Sequence, residues 1–173
     1  MSIETTLSAL AAFPPLLATQ YAQVPVAYST WSPPHWEGMP SEHFTPLGQL
    51  LHVRDIERDG YHVRIGRTLT ENGPVLADID SYALAEERDY AAATAADAEA
   101  ALADFAVARA RTVKMLSRAS VADLARAAEF EGYGPTTLRG LAHLLCSHDQ
   151  QHLAGLHWLL ARIAVQRDFV AGE

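Results

Sequence analysis

The sequence predicts an all-α protein, an up-and-down four-helix bundle with extra short helices. Three observations predict it. Apolar residues recur at helical spacing through four long stretches, the period-two alternation of strands is almost absent, and proline and glycine clusters separate the stretches. A chain of 173 residues suffices for one domain with a sizeable core and is short for two, so residues 1–173 are expected to form a single domain.

The first stretch, Ser2 to Gln23, carries Ile3, Leu7, Leu10, Leu16, Leu17 and Tyr21 and is interrupted by Pro14-Pro15. A proline pair inside a helix removes backbone donors and crowds the preceding turn, so a kink or a restart is expected there. Val24 to Ser41 holds four prolines together with Trp31 and Trp36 and reads as an ordered loop. Thr45-Pro46 is a helix start, a capping hydroxyl followed by proline at the first helical position. The second helix then runs to about Leu69, where Asn72-Gly73-Pro74 stops it. A short helix is expected over Ser81 to Asp89, and an Ala-rich third long helix from Thr94 to about Leu116. Ser120 and Asp123 form a capping-box pattern that opens a short helix to about Phe130. Gly132-Tyr133-Gly134-Pro135 is a turn, and the last helix runs from Thr136 to about Val165. The long loop after the first helix leaves room for a crossover.

The net charge of −8 argues against a nucleic-acid surface, which needs clustered Lys and Arg. Cys146 is the single cysteine, so no intrachain disulfide and no cysteine-based zinc site can form. The N-terminal residues lack the basic flank and apolar run of a signal peptide, and no apolar run is long enough to span a membrane. The cytoplasm is the expected location.

Chemistry concentrates in the last helix. Leu141, Leu145, His148, His152, Leu159 and Ile163 lie on one inward stripe, so His148 and His152 share the buried face one turn apart. That spacing lets two imidazoles reach one metal ion. The alternative is a pair of hydrogen-bonded core histidines, which must each find a partner. His143 and His157 are each rotated by roughly 140° from the nearer of the pair at 100° per residue, so both are expected on the outer side, without assigned chemistry. Cys146 lies about 200° around the helix from His148 and is not expected to act as ligand or nucleophile. A third ligand must come from elsewhere. The second helix offers His52 and His62, and spacing alone does not choose between them.

The stretch Leu47-Gly-Gln-Leu-Leu-His52-Val-Arg-Asp55-Ile-Glu57, followed downstream by Leu138-Arg-Gly-Leu-Ala-His143-Leu-Leu-Cys-Ser-His148-Asp149-Gln-Gln-His152-Leu, resembles the DinB/YfiT-like family. The resemblance implies a four-helix bundle in which three histidines hold a divalent metal ion, here His52, His148 and His152, with zinc or nickel as the expected ion. His148-Asp-Gln-Gln-His152 also has the spacing of the zinc-protease His-Glu-x-x-His element, with a shorter carboxylate and no suitable third ligand following it.

Asp55 and Asp149 are candidates to accept the ligands' second N–H and fix their tautomers. The resemblance implies either a metal-dependent hydrolase or a thiol S-transferase acting on a small molecule, with a low-molecular-weight thiol as a possible partner. The other reading is a non-catalytic, stress-associated or binding bundle whose metal is structural or absent. Trp31, His35 and Trp36 either overhang the site or pack an ordered loop. A homodimer through the outer faces is compatible with such bundles.

Overall fold

A computed structural model describes residues 2–171. The Ser2 hydroxyl accepts from Thr5 N–H to cap α1, Ile3–Tyr21. After a loop with a 3₁₀ turn at Val26–Tyr28, Thr45 caps α2, Pro46–Asp55, through Gly48 N–H. A π-helical segment, Ile56–Tyr61, and then α3, His62–Thr70, continue directly from it. The short α4, Ser81–Glu87, precedes α5, Ala98–Ser117. The one-turn α6, Val121–Leu124, and the long α7, Leu138–Ala171, complete the helices.

Both α1 and α2 pack against α5 and α7. Helices α1 and α2, consecutive in the chain, are therefore diagonal partners, and the long loop between them is a crossover. Leu10, Phe13 and Leu17 of α1, Leu47 and Leu50 of α2, Phe105 of α5, and Leu145 and Leu156 of α7 are all essentially buried. Each contributes about 1.5–3 kcal/mol by leaving water.

Three local expectations are corrected. The helix expected from Ser120 to Phe130 ends at Leu124, and Ala127–Phe130 forms a strand, β2. Its alternating burial, with Ala128 and Phe130 inward, fits a strand and not a helix. β2 pairs in parallel with β1, Val75–Leu76, and antiparallel with β3, Gly134–Thr137. Gly132, at φ +79°, lies in the turn between β2 and β3, and Gly134, at φ +84°, opens β3 opposite Phe130. Because β3 claims Thr136 and Thr137, α7 starts at Leu138, and it runs past Val165 to Ala171.

Of the kink or restart expected at Pro14-Pro15, the restart is the third correction, since α1 runs on through the pair. Pro14 has no N–H for the Leu10 carbonyl four residues earlier. That carbonyl instead accepts from Arg109 Nη1 at 3.2 Å. The Ala11 carbonyl, freed in the same way by Pro15, belongs to an exposed residue that water can reach.

Arg109, on α5, is almost fully buried and uses all five of its N–H donors. Two go to Glu57 at 3.0 Å each, two to Asp149 at 2.6 and 2.8 Å, and one to Leu10 O. Thr112 donates its hydroxyl to Glu57. Glu57 reaches this network from the π-helical segment, whose wider turn redirects the side chains that follow Asp55. Burial opposes the Arg109 charge, yet the two carboxylates outweigh it and hold the guanidinium protonated. Asp149 is pushed up to about 7 by burial, with Arg109 opposing and Glu57 adding to the rise.

Replacing Arg109 by Met leaves two buried carboxylates and the Leu10 carbonyl without their partner. The expected loss is about 3–5 kcal/mol at neutral pH, read from urea unfolding. A loss below 1 kcal/mol would show that the network does not hold the four helices.

Candidate metal centre

His52 projects from α2, and His148 and His152 project from α7. His52 and His152 are buried, and His148 is only partly covered because it lines a cavity. His148 Nε2 lies 3.3 Å from His52 Nε2 and 3.1 Å from His152 Nε2. One ligand nitrogen from each of the three lies within 4.8 Å of the others. Spacing had left His52 and His62 as alternatives, and the fold brings His52 into the cluster. His62, ten residues further along, instead donates Nε2–H to the Ala108 carbonyl of α5 at 2.9 Å.

Gln49, one helical turn before His52, fixes one tautomer. Its amide nitrogen donates to Glu42 O at 2.8 Å and Phe44 O at 3.3 Å, which turns its Oε1 toward His152. His152 Nδ1–H donates to that oxygen at 2.6 Å. The His152 Nε2 lone pair is thereby presented to the cluster.

Burial pushes His148 and His152 well below the ordinary histidine value, and neighbouring histidines add to the effect. Burial also lowers His52, against the pull of Glu42 and Asp55. All three rings are neutral at pH 7 and carry a lone pair each.

The cluster is poorly satisfied by protons alone. His148 Nε2 faces two other ring nitrogens, but one nitrogen carries either one N–H or one lone pair in the ring plane. Whichever it carries, at least one of its two contacts lacks a good hydrogen bond. His52 Nδ1 and His148 Nδ1 are buried without a partner among the described residues, so these rings gain nothing from that side. The two separations from His148 Nε2, 3.3 and 3.1 Å, are close to what a shared ion requires. Two nitrogens at about 2.0–2.1 Å from a tetrahedral ion are about 3.3–3.4 Å apart. The residues therefore fit a divalent ion.

Two residues at the cluster, Glu42 and Gln49, were missed by sequence reasoning. Glu42, from the loop before α2, places Oε2 3.4 Å from His152 Nε2 and Oε1 3.8 Å from His52 Nε2. Ser81, the first residue of α4, donates its hydroxyl to Oε1 at 3.1 Å. Loop residues carry no periodicity, so nothing in the sequence pointed to Glu42. Gln49 did carry a signal, since it shares a helix face with His52.

The two aspartates expected to orient the ligands are committed elsewhere. Asp55 accepts from its neighbour Arg54 at 2.7 and 2.9 Å and from Tyr90 at 2.9 Å. Asp149 is held by Arg109 on the core side of α7, which also removes it as the general base of a protease-like element.

His143 is not on an outer face. It is half-buried at the seam with α1, where Nδ1 meets the Thr6 hydroxyl at 2.8 Å. His157 is exposed, and Cys146 is buried outside the cluster. Trp31 packs against the core, whereas Trp36 stacks on His43 and Trp158. His35 is exposed in the same loop.

Fold and site together define a class: a crossed four-helix bundle with a three-histidine cluster between its second and last long helices. The chain belongs to the DinB superfamily, whose sequence profile matches residues 4–156. Among solved structures it is similar to YfiT from Bacillus subtilis, described as "a probable metal-dependent hydrolase with an unusual four-helix bundle topology". The TM-score is 0.78 at 19% identity, over 95% of this chain and 90% of that one. No curated protein sequence matches.

If Gln49 orients His152, Gln49→Leu weakens zinc affinity by about 10–100-fold while helicity is kept. Competition with a chromophoric chelator measures this, and unchanged affinity would remove Gln49 from the site.

Proposed function

We propose that His52, His148 and His152 hold a divalent metal ion and that the protein is a metal-dependent hydrolase of small molecules. The observation that carries the reading is the position of Glu42. A carboxylate stands beside three converging, neutral imidazole nitrogens and lines the same cavity as His52 and His148. With three histidines and no fourth at the cluster among the described residues, the arrangement resembles an open catalytic site more than a closed structural one.

A divalent ion supplies Lewis acidity at such a site, acidifying water and polarising a substrate oxygen. The chain's own groups then do the rest. Gln49 keeps the His152 lone pair turned inward. Glu42 Oε2 is free of the Ser81 hydrogen bond and accepts the proton of the attacking water. The Phe44 ring, 5.2 Å from that of His52, covers the cluster on one side.

The thiol S-transferase reading uses the same ligands but has less need of a carboxylate. A thiol is far more acidic than water and ionises readily beside a metal ion. Glu42 therefore favours hydrolysis.

The test uses untagged, zinc-loaded protein with p-nitrophenyl acetate as the probe ester. Glu42→Gln is expected to retain near-stoichiometric zinc by elemental mass spectrometry while turnover falls about 10²–10⁴-fold. His52→Ala is expected to lose both. A wild type that retains zinc but turns over neither esters nor thiol substrates would leave a structural metal in a non-catalytic bundle.

A further inference from the structure

The cavity beside the histidines holds a second buried cation. Glu42, His52, Tyr61, Arg64, Asp78, Ser81, Tyr133 and His148 supply its polar lining, in a volume of about 90 Å³. That is room for about three waters, or for one small polar group.

Arg64, on α3, is 4% exposed, and burial is the main influence pulling its guanidinium below the ordinary arginine value. Its charge is poorly matched. Nε donates to the Ala77 carbonyl at 3.1 Å, and Nη2 meets Asp78 at a long 3.4 Å. Asp78 is more than half exposed and so is a weak counter-ion.

The contrast with Arg109 is direct. Arg109 spends five donors on two buried carboxylates and a carbonyl. Arg64 spends two, and its remaining N–H groups have no partner among the described residues. Its flat face lies 4.4 Å from the centre of the Phe130 ring and 5.3 Å from that of Tyr61, which holds the guanidinium in place without neutralising it. Arg64 also borders a second cavity of about 90 Å³, beside Asp59 and Arg67, but no histidine lines that one.

We infer that Arg64 is a specificity residue that binds a carboxylate carried by the substrate, one small cavity away from the three-histidine cluster. The inference rests on the metal reading above. Charge favours a monoanion. With a divalent ion in place, the ion and Arg64 oppose Glu42 and Asp78, leaving one net positive charge that a single carboxylate cancels. A phosphate dianion would overshoot it against two carboxylates. The neutral Tyr61 phenol, kept protonated by burial, lines the same cavity and can donate to the bound group.

The test measures binding and needs no turnover. Butanohydroxamate, succinic monohydroxamate and 3-aminopropanohydroxamate share a metal-binding head and differ in a neutral, anionic or cationic tail. Malonic monohydroxamate adds a shorter anionic arm. Calorimetric titration of the zinc-loaded protein is expected to show at least one anionic ligand bound about tenfold or more tighter than the neutral one, with the cationic ligand weakest. In Arg64→Gln the anionic preference should fall to within about twofold, with neutral-ligand affinity kept, and Arg64→Lys should retain part of it.

Neutral and anionic ligands binding equally to the wild type would overturn the inference while leaving the metal site standing. So would an anionic preference that survives in Arg64→Gln. No binding of any hydroxamate would remove the metal reading and the inference with it. If Arg64→Gln does not fold, the ordering of the ligands on the wild type together with Arg64→Lys still decides.

Discussion

The buried guanidinium of Arg109 is the constraint on which the rest of the molecule depends. It lies among all four long helical stretches: a carbonyl of α1, a carboxylate from the π-helical segment after α2, its own helix α5, and Asp149 of α7. Such a group is costly to bury, and its geometry must be complete to be tolerated. Completeness here comes from irregularities that look like defects in isolation. Pro14 vacates a carbonyl that Arg109 then uses, and the widened turn at Ile56–Tyr61 delivers Glu57 into the core.

The histidine cluster inherits its position from that network. Asp149 is clamped on the core side of α7, and the adjacent residue, His148, is thereby turned toward α2. His52 and Glu57 stand on either side of the point where α2 passes into the π-helical segment, so one rod serves both the polar core and the cluster. The cavity wall beyond is built by the small sheet, through Phe130, and by α3, through Arg64. Carboxylates and guanidinia thus divide into two kinds. Those of the core are fully paired, and those of the cavity, Glu42 and Arg64, are only partly so.

Much of this was legible in the sequence wherever periodicity speaks. The stripe through Leu141, Leu145, His148, His152, Leu159 and Ile163 gave the inward pair, and every apolar member of it is buried. The helix starts at Thr45-Pro46 and Ser120 follow from cap chemistry. The short strands escaped because four residues of alternation, Ala127 to Phe130, are too few to stand against a preceding capping box. Pro14-Pro15 does not restart the helix, and the donor that takes up the freed Leu10 carbonyl is Arg109, nearly a hundred residues away. Asp55 and Asp149 were drawn toward the histidines by proximity in sequence, whereas Arg54 and Arg109 hold them in space. Glu42 reaches the cavity from the crossover loop, and Arg64 from the same helical rod as His52 but beyond the π-helical segment, which shifts the face that a regular helical period would assign it.

Convergence of three imidazoles on one ion is the claim from which the chemistry follows. X-ray absorption at the zinc edge of the loaded protein tests it most directly. Three imidazole nitrogens in the first shell, at about 2.0–2.1 Å, are predicted, falling to two in His52→Ala if that variant retains zinc at all. A shell of one or two imidazoles in the wild type, or one unchanged by His52→Ala, would contradict the account.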